Sequence, residues 1–390
     1  MKSLACFLIL IVGSLPVWAQ LSVDQFLREA VIDSSANAHA TPPGGMRGLN
    51  RWINDAQLRA ADDPDQHAFA LRISPKFPRQ IAAEDAVLDL RQRQLDLQSQ
   101  TALNNRLKSR YLQWLDLLEQ QNRVEAFDQA RALADIEVQY QRSLAQTNDF
   151  RPSGLLAAEL NLSRLIEQDR VQRDRFASLQ TAIGIEPRAD DVIAIDQMLR
   201  IITTTPVNET MVGEREEALV LELAKQQARI DKARQGWAID LLQVERTTDR
   251  RTRTDSVGFL VGVRLPLGGR SFDSARREYD VASAAEELRN RTQVDRLEAA
   301  NKRAQLQWRQ SEVNAIGGTL ATIDLRLQRA RQQGDEAIVL AALDEQLKTR
   351  ERLTELRQRA CRDYLDYLHL NGQLAQLPLR NWLTTGQPPL

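Results

Sequence analysis

Residues 257–267 read Val257-Gly258-Phe259-Leu260-Val261-Gly262-Val263-Arg264-Leu265-Pro266-Leu267. The odd positions are all apolar, and the even ones are mostly small or polar. Successive side chains of a strand point to opposite faces, so this period of two makes a strand with one apolar face. The strand is expected over 256–267. Its partner is expected over 237–246, with Trp237, Ile239 and Leu241 on one face. The polar run Thr247 to Asp255 joins the two. A barrel stave needs about ten tilted residues with apolar side chains toward lipid and a polar inner face. On that reading Val257, Phe259, Val261, Val263 and Leu265 face lipid, while Gly258, Gly262 and Arg264 face the lumen. The same alternation also fits a soluble hairpin capping a helical bundle.

The pattern has a second copy upstream. Residues 68–77 read Ala68-Phe69-Ala70-Leu71-Arg72-Ile73-Ser74-Pro75-Lys76-Phe77, and Phe69, Leu71 and Ile73 alternate with Ala70, Arg72 and Ser74. Pro75 and Pro266 are 191 positions apart. A second marker, Phe176 to Gly184 against Tyr364 to Gly372, repeats at an offset of 188. Two nearly equal offsets identify a duplication. The first copy covers 20–184, with a strand pair within about 47–77 whose other member lies around Trp52. The second covers 213–374, opening with a rising helix over 213–235. An irregular connection, 185–212, joins them, and 375–390 is a C-terminal tail.

Each strand pair leads into a long helix. No proline or glycine occurs from Arg79 to Ala145, a stretch of about 100 Å at 1.5 Å per residue. The second copy has a counterpart over 271–333. Both far exceed the roughly 8–20 residues of a globular helix and are expected to be coiled-coil-like. Val313, Ile316, Leu320, Ile323, Leu327 and Ala330 follow a 3,4 spacing, the mark of a heptad seam. Leu103, Leu107, Tyr111, Trp114 and Leu118 make a looser stripe in the first copy. Gly317-Gly318 could mark a turn, but the heptad runs through them, so a continuous helix is expected. Returning helices are expected over 153–183, after Pro152, and over 335–370, after Gly334.

The N-terminus carries Lys2, the apolar run Leu4 to Val12, then Gly13, Pro16 and the small-residue pattern Val17-Trp18-Ala19. This is expected to be a signal peptide over 1–19, cut before Gln20. No later run reaches the roughly 18 apolar residues of a membrane-spanning helix. Cys361 is then the remaining cysteine and calls for no internal disulfide. Lys and Arg total 52 against 53 Asp and Glu, which gives no electrostatic footprint for nucleic acid. Charged residues make up 27% and aromatics 5%, a balance that favours long helices. His39, His67 and His369 sit in no metal-ligand spacing; the last two read as surface or interface residues. Asp62-Asp63 and Asp190-Asp191 read as solvated loop acids. No phosphate loop, nucleophile elbow or metalloprotease motif occurs, so no enzyme, cofactor or metal is expected.

Over residues 68–374 this plan resembles the TolC-type outer-membrane efflux family. Leu265-Pro266-Leu267-Gly268-Gly269 looks like that family's strand-to-helix exit. Gly334 followed by Ile338-Val339 resembles its tip turn, and Tyr364 through Gly372 its closing helix. The resemblance implies a mainly α chain with a small β part. Tandem-repeat coiled-coil helices accompany four strands, which three copies pool into a twelve-stranded outer-membrane barrel. Four staves cannot close a barrel alone, and an open edge in lipid is costly, so a homotrimer is expected. The resemblance also implies a periplasmic adaptor and an inner-membrane transporter as partners, in an efflux or type I secretion system. It places a periplasmic tip or gate at Ser143, Asp149, Gly334, Asp335, Glu336, Leu340 and Leu343.

Two departures stand out. A rising N-terminal helix can start at Leu21 to Ile32, but Ser34 to Gly45, with Pro42-Pro43-Gly44-Gly45, is expected to break it. Leu340 and Leu343 occupy positions where some relatives carry gating aspartates, so an apolar gate is expected. The competing reading is a periplasmic helical scaffold that never inserts.

Overall fold

The computed structural model describes residues 23–37, 51–146, 150–185, 192–204, 211–235, 238–265 and 272–384. The signal segment 1–19, His39, Pro42 to Gly45, Asp149, Asp190-Asp191, Trp237 and Pro266 to Gly269 lie outside these residues. In chain order the elements are α1 (Val23–Asn37), β1 (Ile53–Asp62), β2 (Gln66–Pro75), α2 (Pro78–Ser143), α3 (Pro152–Ile183), α4 (Ile195–Thr204), α5 (Val212–Gln235), β3 (Ala238–Asp249), β4 (Asp255–Arg264), α6 (Phe272–Gln333) and α7 (Glu336–Leu370).

The long helices follow from the sequence. α2 has 66 residues and α6 has 62, about 99 and 93 Å of helix. α6 passes through Gly317-Gly318 unbroken, and Ile316, Ile323, Leu327 and Ala330 of its heptad are buried. α2 and α3 form one antiparallel hairpin, and α6 and α7 form the other. The carboxylate of Asp366 on α7 joins them, bonding Lys108 on α2 at 2.8 Å and Lys302 on α6 at 2.8 Å. Lys108 and Lys302 therefore lie at one level along the molecule.

Four differences from the sequence reading have physical causes. The N-terminal helix does not end before Ser34: α1 runs to Asn37, and its Phe26, Leu27 and Ala30 are buried. Arg110 stacks 4.3 Å over the Phe26 ring, fixing α1 against α2. The connection 185–212 is not wholly irregular, because α4 buries Ile195, Met198 and Ile202 at helical spacing. Nor is the segment after residue 374 a loose tail: Leu379, Trp382 and Leu383 are buried in the core that holds Tyr111, Trp114 and Tyr364. The Tyr111 hydroxyl donates to the Arg380 carbonyl at 3.1 Å and accepts from the Trp382 amide at 3.0 Å. The fourth difference lies in the sheet, where β1 begins after Trp52 rather than around it. The Thr247–Asp255 loop also shortens to 250–254 as β3 and β4 extend into it.

Candidate functional site: a two-faced sheet and a helical tip

The strands form one antiparallel sheet in the order β1-β2-β3-β4, so β1 and β4 are its edges. The register fixes the faces, because directly paired residues point the same way. Leu58 pairs with Leu71, Leu71 with Val244 and Val244 with Phe259, which makes one transverse row. Ala56, Ile73, Leu242 and Val261 make the next, and Ala60, Phe69, Arg246 and Val257 a third. Val263 pairs with Ile239 below them. Apart from Arg246 this face is apolar, and Leu58, Phe69, Leu71, Val244, Val257, Phe259, Val261 and Val263 are exposed. Leu265 lies one residue past the end of β4 and is exposed as well. From Val257 to Leu265 the strand path covers about 26 Å. Tilted by about 40°, it spans about 20 Å of membrane normal, near the roughly 25 Å apolar band of an outer-membrane barrel.

The opposite face carries Asp55, Gln57, Arg59, Arg72, Gln243, Glu245 and the positions Gly258, Gly262 and Arg264. Side-chain bonds run along it: Arg59 donates to Gln57 at 3.2 Å, Gln57 to Asp55 at 2.7 Å and Gln243 to Glu245 at 3.2 Å. Leu241 is also here, a correction to the expectation that it shares a face with Ile239. The register slips between Ile239 and Leu241, as at a β-bulge, so Leu241 pairs with Gly262. A Cβ on Gly262 would meet the Leu241 Cβ at 3.2 Å, so the missing side chain makes room for the displaced leucine. After the slip the even positions Leu242 and Val244 point outward, and their alternation was visible in the sequence.

At the turn end the apolar rows give way to polar ones. His67 pairs with Asp62 at 2.7 Å, Arg250 bonds both of them, and Arg251 grips Asp65 with two bonds of 2.9 Å. These partners close the β1–β2 and β3–β4 turns against each other.

The tips are built differently in the two hairpins. Gly334 has φ 68°, and its amide donates to the Arg331 carbonyl at 3.3 Å. The Asp335 amide reaches back to Ala330 at 3.3 Å, which completes a Schellman stop for α6. The Asp335 carboxylate then accepts from the Ile338 amide at 3.1 Å and caps α7, with Glu336 in its first turn. In the other hairpin Ser143, the last residue of α2, donates to the Tyr140 carbonyl at 2.7 Å. A 3-10 turn over Leu144–Gln146 follows, and α3 starts with Pro152 in its first turn. Leu340 lines a groove of about 600 Å³ between α7 and the α2–α3 hairpin, together with Leu133, Ala134, Leu165 and Ala341. Leu343 is half-buried one turn further on and does not line that groove.

Among the described residues no His, Cys, Asp and Glu group could hold a metal. Burial pushes the Cys361 thiol up to about 12, which makes it an unreactive core residue. The strongest charge cluster ties helices together. Asp363 receives Lys302 at 3.1 Å and Arg309 at 2.6 Å, beside the doubly held Asp366. Burial works against the Asp366 carboxylate, but the bonds from Lys108 and Lys302 outweigh it and hold the group below its ordinary 3.8. Burial, with nearby Lys108, lowers His369, whose Nε2 lies 2.6 Å from Asn105 Oδ1.

No protein-family model matches the chain, and no curated protein matches it. Solved structures do. CusC, studied for its folding and transmembrane channel formation, superposes with a TM-score of 0.64 at 13% identity, covering 90% of this chain and 92% of its own. VceC, an outer membrane protein of the pathogen Vibrio cholerae, gives 0.63 at 15% identity over 90% and 96%. The outer-membrane channel OprN gives 0.61 at 14% identity over 90% and 89%. The chain has the fold of the TolC-type outer-membrane channels. No helix among the described residues is long and apolar enough to cross a membrane.

Proposed function

We propose that this chain is one subunit of a homotrimeric outer-membrane channel. Its sheet supplies four of twelve barrel strands, and its helices form a periplasmic duct. The observation that carries this reading is the four-stranded sheet with an exposed apolar face, a polar reverse and two open edges. Water gives no reason to bare Leu58, Leu71, Val244 and Phe259 in one row, whereas lipid does. Val257, Phe259, Val261, Val263 and Leu265 then face lipid, and Gly258, Gly262 and Arg264 face the lumen. Because each copy leaves β1 and β4 unpaired, closure requires further copies.

Within that reading the duct is the exit of a tripartite efflux or type I secretion system, with a periplasmic adaptor and an inner-membrane transporter as partners. The tips at Ser143, Asp149 and Gly334 to Glu336 form the end those partners reach, and Leu340 and Leu343 contribute an apolar constriction there. Membrane fractionation, the detergent-solubilised mass and planar-bilayer conductance test it together. An outer-membrane protein with the mass of three chains and a steady conductance is expected. A chain that stays in the soluble periplasmic fraction as a single copy would mean a helical scaffold instead.

A further inference from the structure

The two turns at the far end of the sheet are joined through one histidine. His67, on β2, lies just beyond the last apolar row and on the same face, beside Asp62 of β1 and Thr248 of β3. Its Nδ1 is 2.7 Å from Asp62 Oδ1, and Arg250 Nε donates to its Nε2 at 2.7 Å. Arg250 Nη2 donates to the same Asp62 oxygen at 2.6 Å. The Arg250 amide also donates to the Asp65 carbonyl at 2.9 Å. One residue of the second hairpin thus holds the turn of the first by backbone and side chain together.

These contacts fix the state of the ring. A carboxylate only accepts, so Nδ1 carries a hydrogen; a guanidinium only donates, so Nε2 keeps its lone pair. The ring in this arrangement is neutral. A second proton would go onto Nε2, where it would meet the Arg250 N–H head-on and set two cations against one carboxylate. The charged groups flanking the ring do not relieve that contact. They are Asp62, Asp63 and Asp65 on the first hairpin and Arg246, Arg250, Arg251 and Asp255 on the second. Arg251 is bonded to Asp65, and Arg246 to Asp255. Histidine is the side chain whose charge ordinarily changes between pH 5 and 8. The His67 side chain is 40% exposed, so the proton comes directly from solution.

We infer that His67 makes this clasp sensitive to acid: the two turns are held together while the ring is neutral and released when it takes a proton. Which solution it senses rests on the channel proposed above, where these turns meet the external medium. The test is hydrogen exchange of the full chain in detergent at pH 8 and pH 5. Mass spectrometry follows the peptide that carries the Arg250 amide, and an unfolded reference removes the pH dependence of exchange itself. Protection in the wild type should fall about 5-fold at pH 5, the worth of one exposed hydrogen bond. His67→Gln offers a donor to Asp62 and an acceptor to Arg250 at any pH, so its protection should be the same at both. His67→Phe offers neither and should be open at both. A wild-type chain whose protection is unchanged at pH 5, or a His67→Gln chain that loses as much as the wild type, overturns the clasp. Exchange is measured on the chain whatever its assembly, so a negative result here leaves the channel to its own conductance test.

Discussion

The two copies of the repeat reach the same architecture by different chemistry. β4 is apolar at every outward position from Val257 to Val263. β1 offers only Ala56, Leu58 and Ala60, beside Asn54, Asp55, Gln57 and Arg59, yet it pairs with β2 along its length. The hairpins differ in the same way. α6 and α7 are joined by Asp363, Lys302 and Arg309, whose side chains are about a tenth to a fifth exposed. The α2–α3 hairpin has a buried carboxylate too, Asp169, 5% exposed, but its Arg131 and Arg173 partners are half-exposed, and toward the tip Arg142 and Glu159 are 63% and 43% exposed. Register and level are therefore shared between the copies, whereas the strength of the local signal is not. The second copy states the plan, and the first is held to it by its neighbours.

The largest effect is expected where that asymmetry is greatest. Asp363→Ala leaves Lys302 and Arg309 with one fewer carboxylate in a mostly buried site, and removing one partner of such a cluster costs about 3–5 kcal/mol. Thermal unfolding of the solubilised protein, followed by circular dichroism, should show it. The neighbouring Asp366 gives the pH dependence. Its folded pKa is depressed, so its contribution is complete above its ordinary 3.8 and is lost as pH falls through the lower folded value. Unfolding temperature should thus carry no Asp366 step between pH 8 and 5, and the Asp366→Asn variant should lose part of the fall seen in strong acid.

The second effect asks whether depth or sequence signal sets the cost in the sheet. Leu58 on the weak strand and Phe259 on the strong one lie in one row. If the row faces lipid, Leu58→Arg and Phe259→Arg should each cost about 2–4 kcal/mol, since the penalty follows position in the bilayer. Folding yield in lipid vesicles measures this. A harmless Leu58→Arg beside a damaging Phe259→Arg would mean that β1 has left the lipid-facing wall.

What could be read from the sequence follows the same division. The uninterrupted run from Arg79 to Ala145, the heptad through Ile316 and Ile323 and the alternation from Val257 to Leu265 each carry their signal within a few turns. α1, α4 and the Leu379–Leu383 segment do not. They become ordered by burying Phe26, Met198 and Trp382 against residues far along the chain, a gain that no local window contains. The slip between Ile239 and Leu241 was hidden because both side chains are apolar, so a change of face leaves no mark in the composition.

The tips supply the smaller effects. At Gly334, φ 68° is a left-handed conformation that an L side chain adopts at a cost of about 1–2 kcal/mol, with nothing nearby to obstruct a Cβ. Gly334→Ala should lower the stability of the second hairpin by that amount, and hydrogen exchange at Asp335 to Val339 should report the loosened stop. In the first hairpin Glu159→Ala removes the partner of Arg142 close to the tip. Both side chains stand in solvent, where water and salt already screen the pair, so the loss should be only about 0.2–1 kcal/mol and should shrink further in high salt. The comparison turns on the ratio between this change and Asp363→Ala. A ratio of several-fold is expected if the tip of the first hairpin is held mainly by its apolar seam, Leu155, Ala158, Leu162 and Leu165 against α2, with the exposed Arg142–Glu159 pair as surface trim. Equal losses would place the two sets of ion pairs on the same footing and break the distinction between the copies.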